Sequence, residues 1–515
     1  MKKISYFLGL VTIFQCLIGC NNHLNAKHST IKVHNAVSLE AAAADVAAGD
    51  TLIMQDGKYD DIKLIVKASG TKESPIVIMA ENPGEVFFTG DVKVELRGNY
   101  IELSGIYFKD GDRIPSQWRS HGPGLVAIYG SHCEVYDCLF HDFDLAHSAY
   151  ITTSLDQNGN VPQYCRIHHC AFIEKQTLDQ VINLNNTPKK TEVGEPGKPM
   201  YHRIDHCYFA NPPKKGNSGG GIRVGYWRKD YGRCLIDNNL FERQDSEAEI
   251  ITSKSMENVY IANTFKNCRG TLNFRHGDHQ VAINNVFSGS DRKYEYGGMF
   301  IWGSDHIVGA NRFELSRTLR ARGGAAISLN PGPVASEHAL AYNVAILNNE
   351  FLDNAGYALC VNALYENRVK AFGEDRVEYP RDNKIVHNKF VAGPNGQLLW
   401  NGPEEIKAKQ TWEGNIFDNA SAPMTEMSAE EIAAWLPYNI IEGLEEIPGL
   451  GEDTNLDQIT GPGNTVIDFS KLIANGPTAR ELQRHDVGPR WCTSYPGTYA
   501  DTGLWKQLDW SKKSK

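Results

Sequence analysis

The chain reads IDNNLF at residues 236–241, and this phrase decides the fold because it recurs along most of the chain. Each copy after the first holds an apolar residue, two further residues, an Asn or Cys, one more residue and a Phe. Successive phenylalanines lie 22 to 39 residues apart, at Phe108, Phe140, Phe172, Phe209, Phe241, Phe265, Phe287, Phe313, Phe351, Phe390 and Phe417. A fixed phrase with insertions of variable length predicts a solenoid in which each copy forms one coil.

The coils are predicted to consist of β-strands. A helical solenoid would repeat apolar residues at positions i, i+3, i+4 and i+7, and residues 100–420 lack this pattern. A strand, a tight polar turn and a second strand fit each copy instead. The expected fold class is therefore all-β, a β-solenoid whose coils stack about 4.8 Å apart. Repetition also explains how 515 residues exceed the size of one ordinary globular core.

Equivalent positions of the phrase should stack on one another. Each Asn side chain is expected to hydrogen-bond its neighbours along the stack, and the buried Phe rings are expected to form a second column. Cys138, Cys170 and Cys207 occupy the first positions of the Asn column, so we interpret them as buried structural thiols. Disulfides and a zinc site at HHC (168–170) and DHC (205–207) are the alternatives, and the repeat disfavours both because it already accounts for these residues.

The two ends of the chain depart from the repeat. Ser38 followed by an alanine-rich stretch, Leu39–Ala47, predicts a helix that caps the first coil of a β-helix domain spanning residues 21–420. From about residue 420 the phrase is lost. Helical stretches at Met427–Trp435 and Pro477–Gln483 predict a C-terminal cap, residues 421–515, packed along the rod.

Residues 1–20 resemble the signal peptide of a bacterial lipoprotein. Two lysines precede an apolar run, Tyr6–Ile18, that is too short to span a membrane, and the segment ends in LIGC with Cys20 as the expected lipidation site. The alternative is an ordinary signal peptide with a cysteine by chance. We expect an exported protein, periplasmic or anchored to the outer membrane through Cys20, and no other membrane contact.

Charge narrows the range of partners. The 52 Lys and Arg residues against 62 Asp and Glu give a net charge of −10, which argues against nucleic acid as the partner. An anionic polymer would bind only through a local basic patch or a bound cation.

The most polar stretch of the repeat predicts a site. Asn217 and Glu249 both lie eight residues after the Phe of their coil, so they should share a column on adjacent coils. Glu247 points to the same side as Glu249, and Lys254 and Arg275 lie on neighbouring coils. The alternative is a solvated strand face. One amide and two carboxylates are hard oxygen ligands, which predicts a Ca²⁺ site.

The segments NLFERQDSEAEIITSKS (239–255) and NFRHGDHQ (273–280) resemble the calcium and catalytic motifs of polysaccharide lyase family six, the alginate lyases and chondroitinase B. The resemblance is specific in these two motifs and general over the rest of residues 30–420, and it is weak after residue 420. It implies a right-handed parallel β-helix, Ca²⁺ held by Asn217, Glu247 and Glu249, Lys254 as base and Arg275 as acid.

The implied reaction is a β-elimination on a uronate. Ca²⁺ on the sugar carboxylate makes the C5 proton removable, Lys254 removes it, and the C4–O bond breaks. Lys254 must have a pKa near 7–8 to act as a base at neutral pH, well below the reference of about 10.4. A guanidinium does not release a proton at neutral pH, so stabilising the leaving oxygen directly or through water is the alternative role of Arg275.

Four further residues are predicted to bind the substrate. His276 and Glu337 occupy positions that resemble substrate-site residues of the family, Arg322 falls near the Arg275 column, and Trp302 precedes the arginine-rich coil. The expected substrate is alginate. The segment Asn362–Lys370, where sulfate recognition would need an Arg pair, has one Arg and one Lys.

The alternatives that remain open are a dermatan sulfate lyase, a non-catalytic polysaccharide-binding solenoid and a glycoside hydrolase that uses Glu247 with Glu249. A hydrolase would not need Lys254. Within alginate we favour mannuronate-rich chains, and endo or exo action and the oligomeric state stay open.

Overall fold

The computed structural model describes residues 28–111, 123–141, 143, 149–186, 197–215, 219–289, 296–315, 323–392, 398–418, 420–450 and 466–496. In these residues the chain winds into a right-handed parallel β-helix with three long sheets of 14, 13 and 12 strands, here called sheets 1, 2 and 3. Each strand pairs in parallel with the equivalent strand of the next coil, for example Leu235–Asp237 with Val259–Ile261. The predicted β-solenoid is confirmed.

Each coil contributes short strands to the three sheets in turn. Sheet 1 consists of Thr30–Val33, Thr51–Met54, Ile76–Ala80, Ile101–Ser104, Glu134–Tyr136, Arg166–His168, Arg203–Asp205, Leu235–Asp237, Val259–Ile261, Val281–Ile283, Ile307–Gly309, Ala345–Leu347, Lys384–Val386 and Thr411–Glu413. Sheet 2 consists of Gly57–Asp60, Val86–Gly90, Ile106–Gly111, Leu139–His141, Ala171–Ile173, Tyr208–Ala210, Leu240–Glu242, Thr264–Lys266, Val286–Gly289, Arg312–Leu315, Glu350–Leu352, Lys389–Val391 and Ile416–Phe417. Sheet 3 consists of Lys63–Val66, Lys93–Leu96, Val126–Ile128, Ile151–Thr153, Ile182–Leu184, Ile222–Val224, Glu249–Ser253, Thr271–Phe274, Met299–Ile301, Ala325–Leu329, Tyr357–Cys360 and Leu398–Asn401. The α-helices are Ala36–Asp45, Tyr365–Phe372, Glu404–Lys407, Ala429–Ala433 and Phe469–Ala474.

The recurring phrase forms the corner between sheets 1 and 2. One residue per corner, such as Asn238 with φ 52°, adopts the left-handed conformation that Asn tolerates best among residues with a side chain. The next residue points inward. The Nδ2 of Asn285 donates to Tyr260 O at 2.9 Å and to Asn311 Oδ1 at 3.0 Å, and this pattern repeats along the column. The predicted asparagine ladder, residues 239, 263, 285, 311, 349, 388 and 415, is therefore confirmed.

The predicted columns of Phe and Cys are also present. Neighbouring Phe rings stack with centroids between 4.3 and 5.6 Å apart, from Phe108 to Phe417. Cys138, Cys170 and Cys207 are buried and free, as the repeat predicts. The Cys207 N–H donates to Asn239 Oδ1 at 2.9 Å, so the thiols continue directly into the ladder.

A helix packs against the first coil, and it begins earlier than predicted. Helix Ala36–Asp45 buries Leu39 and Ala43 against the first strands. Its N-cap is Asn35, whose side chain accepts the Ser38 N–H at 2.8 Å. Ser38 Oγ accepts the Asn35 N–H in return, so Ser38 stands inside the first turn as the second half of a capping box.

The described residues after the last coil pack on the outside of the rod. Helices Ala429–Ala433 and Phe469–Ala474 cover sheet 1, where Ile432 and Phe469 are buried. The predicted helix over Pro477–Gln483 is wrong. Its backbone is extended because Thr478 N and Leu482 N donate to Asn284 Oδ1 and Thr264 Oγ1 of the coils beneath.

Residues 466–496, here called the C-terminal strap, run back along the rod toward its N-terminal end. The strap is bonded to successive coils through Ile473 O to Asn348 Nδ2, Thr478 N to Asn284 Oδ1, Arg484 Nε to Glu242 Oε2, Gly488 N to His206 O, and Trp491 Nε1 to Asp137 O, at 2.7 to 3.0 Å. Among the described residues, none of the helices is long and apolar enough to span a membrane.

Candidate active site

Sheet 3 presents a column of polar side chains on its outer face. Arg223, Thr252 and Asn273 are aligned in register on three adjacent strands. Their neighbours along each strand, such as Ile222 and Val224, are buried in the core. Because side chains alternate along a strand, the middle residue of each triplet points outward.

A β-bulge brings Glu249 into this column. The register between strands Glu249–Ser253 and Thr271–Phe274 shifts between Glu249 and Ile251. The extra residue lets Glu249 and Thr252 meet although they are three apart, and Thr252 Oγ1 donates to Glu249 Oε2 at 2.9 Å. Glu249 is 3% exposed.

Glu247 places a second, half-buried carboxylate beside Glu249. Its Oε2 accepts the Gly219 N–H from the preceding coil. Burial, and then the negative charge of Glu249, raise the pKa of Glu247 to about 7. Two like charges held close together raise the free energy of the folded protein unless a cation lies between them.

Lys254 and Arg275 face this carboxylate pair, as the sequence predicts. Burial, with the charges of Arg223 and Arg275, lowers the pKa of Lys254 to about 8. Arg275 follows strand Thr271–Phe274 on the next coil, and its Nη1 donates to Glu249 Oε1. The structure therefore brings Glu247, Glu249, Lys254 and Arg275 together, and we call these four residues the sheet 3 site.

His276 and Glu337 meet at the edge of the site. His276 Nδ1 lies 3.3 Å from Glu337 Oε2, although Glu337 lies in the loop after strand Ala325–Leu329, two coils beyond the strand that precedes His276. Arg228 holds this contact in place: its N–H bonds Glu337 Oε2 at 3.1 Å, and its guanidinium pairs with Asp278. Burial, with the charges of His338, Lys254 and Arg275, lowers the pKa of His276 to about 2, so the imidazole is neutral at neutral pH.

Trp302, a predicted substrate-binding residue, is buried. It is 2% exposed and covered by Arg368, whose Cζ is 4.3 Å from the ring, so the indole does not offer a surface to a sugar. It packs edge-on against His338 instead. Arg312, in the coil after Trp302, stands in sheet 2, is exposed and pairs with Glu314 at 2.8 Å.

Three other predicted residues, Asn217, Arg322 and Cys20, lie outside the described residues. The segments on either side of residues 216–218 are described. Lys215 N donates to Ser246 O at 2.8 Å, and Gly219 N donates to Glu247, so both flanks contact the carboxylate segment.

Sequence reasoning missed Tyr226, Arg223 and Asn273. Tyr226 is 37% exposed, and Lys254 Nζ lies 4.7 Å from its ring centroid. Asn273 is fully buried, and neither its Oδ1 nor its Nδ2 has a hydrogen-bond partner within the described ranges. The register of sheet 3 is the pattern that could have identified Arg223 and Asn273. With Thr252, each is the middle residue of a strand triplet in that sheet.

The His and Asp residues of the corner form a cluster that does not suit a metal. Ligand atoms of His168, His169 and Asp205 lie within 4.8 Å of one another. Asp205 already accepts two bonds of 2.8 Å from Arg166 and is 3.5 Å from Arg203. Two guanidinium groups on the only carboxylate of this cluster repel a cation, so the zinc alternative stays disfavoured.

The structure is thus a parallel β-helix that carries a carboxylate pair, a lysine of lowered pKa and an arginine side by side on one sheet. The chondroitinase B family model matches residues 33–428, about three quarters of the chain. The chain therefore belongs to the chondroitinase B family, polysaccharide lyase family six. No curated protein matches it by sequence.

Solved structures agree on the fold. A family six polysaccharide lyase from Pseudopedobacter saltans is similar with a TM-score of 0.63 and 19% identity, over 90% of this chain and 99% of that one. The family six alginate lyase AlyGC gives 0.66 and 21%, over 91% of this chain and 59% of its own. A mannuronic acid specific family six lyase from human gut microbiota gives 0.60 and 21%, over 88% and 97%.

Proposed function

We propose that this protein is a calcium-dependent lyase that cleaves alginate by β-elimination and releases unsaturated oligosaccharides. The observation that carries the proposal is the pairing of Lys254, with its pKa lowered to about 8, with the adjacent carboxylates of half-buried Glu247 and buried Glu249. A lysine with a pKa near neutrality is a base, and two adjacent carboxylates are hard oxygen ligands for a cation.

The residues present fit Ca²⁺. Glu247 and Glu249 supply hard oxygen ligands, and Asn217 is proposed as the third ligand because both flanks of its segment contact the carboxylate segment. The raised pKa of Glu247 and the unsatisfied amide of Asn273 are what the site would show without its ion. The bound ion would neutralise the substrate carboxylate and so acidify the C5 proton.

Lys254 removes the C5 proton in this proposal. Burial and the neighbouring guanidinium groups keep a substantial fraction of Lys254 neutral near pH 8, so its Nζ has a lone pair available. Arg275 is fixed on Glu249 and keeps its own proton, so it stabilises negative charge on the leaving oxygen. His276, neutral and tied to Glu337, lines the edge of the site.

Alginate is favoured over sulfated polymers by the position of Arg368. Its guanidinium stacks on Trp302, so the one arginine of the Asn362–Lys370 segment is engaged with the protein itself. AlyGC is an alginate lyase, and the similar gut enzyme is specific for mannuronic acid, which supports a preference for mannuronate-rich chains.

A dermatan sulfate lyase is the second candidate, because the matching family model is that of chondroitinase B. The decisive experiment is to incubate the purified protein with alginate and with dermatan sulfate and to follow the ultraviolet absorbance of the conjugated double bond. Absorbance with alginate alone supports the proposal, and absorbance with dermatan sulfate alone replaces it with the second candidate. A hydrolase or a binding protein would give no chromophore with either polymer.

We also propose that the chain is exported and anchored through Cys20. The basis is the LIGC motif after a short apolar run in residues 1–20. Metabolic labelling with a fatty acid should mark the wild type and not Cys20→Ala. Labelling that persists in the variant would contradict the anchor.

A further inference from the structure

Asp278 lies two residues after His276 in the second sequence motif, yet the proposed function gives it no role. Gly277 stands between them with φ of 77°, and a Cβ there would meet Ser255 O at 2.4 Å, so the turn requires glycine. Asp278 Oδ1 accepts the Ser304 N–H of the next coil at 2.9 Å. The carboxylate is therefore fixed on the β-helix itself.

Arg228 joins this carboxylate to the loop that carries Glu337. Its Nε and Nη2 donate to the two oxygens of Asp278 at 3.2 and 2.9 Å. Its Nη1 donates to Ser336 O at 2.8 Å and Val334 O at 3.2 Å, and its backbone N–H donates to Glu337 Oε2 at 3.1 Å. Burial alone would raise the pKa of Asp278, but the charge and hydrogen bonds of Arg228 hold it below its ordinary value, so the carboxylate stays ionised.

The loop of residues 331–340, here called the site loop, is paired at its base and exposed at its tip. At the base, Gly332 and Glu378 exchange two backbone hydrogen bonds of 3.0 Å. At the tip, Val334 is 40% exposed. Arg228 supplies three of the hydrogen bonds that hold the tip, so its loss would release the tip while the base stays paired.

The position of this tip determines what His276 offers to a substrate. Its Nδ1 faces two acceptors, Glu337 Oε2 at 3.3 Å and Tyr226 O at 3.4 Å. Because both groups accept, Nδ1 carries the proton of the neutral ring and Nε2 keeps its lone pair. Nε2 is buried and has no hydrogen-bond partner in the part of the chain that the structure describes. The imidazole thus keeps a free acceptor at the edge of the site.

We propose that Arg228, anchored by Asp278, is a positioning residue that holds the site loop where Glu337 keeps the proton of His276 on Nδ1. His276 Nε2 then accepts a hydrogen bond from a hydroxyl of the substrate. The assignment rests on the proposed function. Arg228 does not touch the reacting atoms in this scheme, and it acts through Glu337 and His276.

Arg228→Lys tests the assignment because it keeps the charge and removes the planar fork that reaches Asp278 and the loop carbonyls together. We expect kcat/KM on alginate to fall by about 10–10²-fold, since a small displacement of a substrate-contacting group has an effect of that size. An unchanged kcat/KM would overturn the assignment.

The matched control is Arg166→Lys. Arg166 lies on sheet 1 and bonds both oxygens of Asp205 at 2.8 Å, and its side chain is 13% exposed against 14% for Arg228. This control removes an equivalent ion pair away from the site. It is expected to lower the unfolding temperature at least as much as Arg228→Lys does and to keep the wild-type kcat/KM.

A double-mutant cycle separates positioning from a general weakening of the fold. If Arg228 acts through Glu337, adding Arg228→Lys to Glu337→Gln should lower kcat/KM little further than Glu337→Gln alone. Asp278→Asn removes the anchor from the other side and should show the same non-additivity. Losses that multiply in both combinations would make Arg228 a structural residue and overturn the assignment.

Nitrogen NMR of the histidine rings tests the mechanism without turnover. The His276 signals, identified by their absence in His276→Gln, should show a proton on Nδ1 in the wild type and a mixture of both tautomers in Arg228→Lys. Identical His276 signals in the two proteins would contradict the positioning role. A wild type that shows the expected signals but is inactive on every polyuronate would refute the proposed function and leave the positioning of His276 intact.

Discussion

The corner between sheets 1 and 2 and the outer face of sheet 3 are built from the same short parallel strands, yet they treat polar groups in opposite ways. At the corner, Asn285 satisfies its amide through bonds to Tyr260 O and to its ladder neighbours. On sheet 3, Asn273 is equally buried and has neither amide atom satisfied within the described residues. At the corner, the buried polar groups bond to one another and so stabilise the fold. The unsatisfied buried groups lie on sheet 3, where a ligand would bind to them.

The largest effect is expected from removing the base. Lys254→Ala should lower kcat on alginate about 10²–10⁴-fold and leave the binding of an oligomer nearly unchanged, because proton removal occurs only in the transition state. Lys254→Arg should not restore turnover, since arginine stays protonated. Initial rates and a binding isotherm for each variant provide the measurement. Lost affinity with preserved kcat would make Lys254 a binding residue.

Loss of the cation should come next. Chelator-treated protein is expected to lose most of its turnover and to regain it with Ca²⁺, because the carboxylates of Glu247 and Glu249 lie side by side as hard oxygen ligands. Glu249→Gln should need more Ca²⁺ for the same rate, whereas the exposed Glu85→Gln should behave as wild type. Full activity after exhaustive chelation would remove the metal from the mechanism.

The corner should show the opposite response. Asn285→Ala removes the side-chain partner of two buried backbone groups, Tyr260 O and the Asn263 N–H, at about 1–3 kcal/mol for each unsatisfied group. We expect the free energy of unfolding to fall by about 3 kcal/mol or more while kcat at low temperature is kept. Chemical denaturation measures this, with the exposed Asn158→Ala as control. An equal stability for both variants would mean that the ladder contributes little.

A smaller change is expected in the pH profile. The rate should rise with pH through about 8, because Lys254 acts only after losing its proton. Arg223 is one of the charges that lower this pKa, so Arg223→Gln should raise it and move the rising limb to higher pH by less than about one unit. Profiles of kcat/KM for both proteins measure the shift. A limb that moves to lower pH would contradict the electrostatic argument.

The smallest effect concerns the thiols. Eight of the nine described cysteines are buried, and Cys492 is partly exposed. Among these nine, native protein should therefore show Cys492 reacting first with a thiol reagent, and the rest should react only after unfolding. Cys170→Ser is expected to change kcat hardly at all. Fast modification of Cys138, Cys170 or Cys207 in native protein would contradict their place in the ladder.

Much of this difference between the corner and sheet 3 was predictable from the sequence, because each coil is formed by residues that are close together along the chain. The position of Asn285 depends on a phrase of six residues and on its copies, and counting along the copies places Lys254 and Arg275 on neighbouring coils. The burial of Trp302 was not predictable in this way. It depends on Arg368 and on the loop carrying His338, which lie in insertions without any periodic pattern.

Insertions and bulges also account for the other differences. Tyr226 takes its place from the turn at Gly225, and Glu249 from the irregular register beside Ile250, neither of which the phrase encodes. The repeated phrase therefore predicts the β-helix itself, whereas contacts between insertions that are distant in sequence determine the surface of the site.

The C-terminal strap affects the order in which the parts of the protein fold. A stack in which each coil contacts only the adjacent coils can unfold from either end. Here residues 466–496 tie the coil of Asn348 to that of Asp137, so a coil between them opens only by also breaking its bonds to the strap. The strap binds coils that have already formed beneath it, so its docking is a late step of folding.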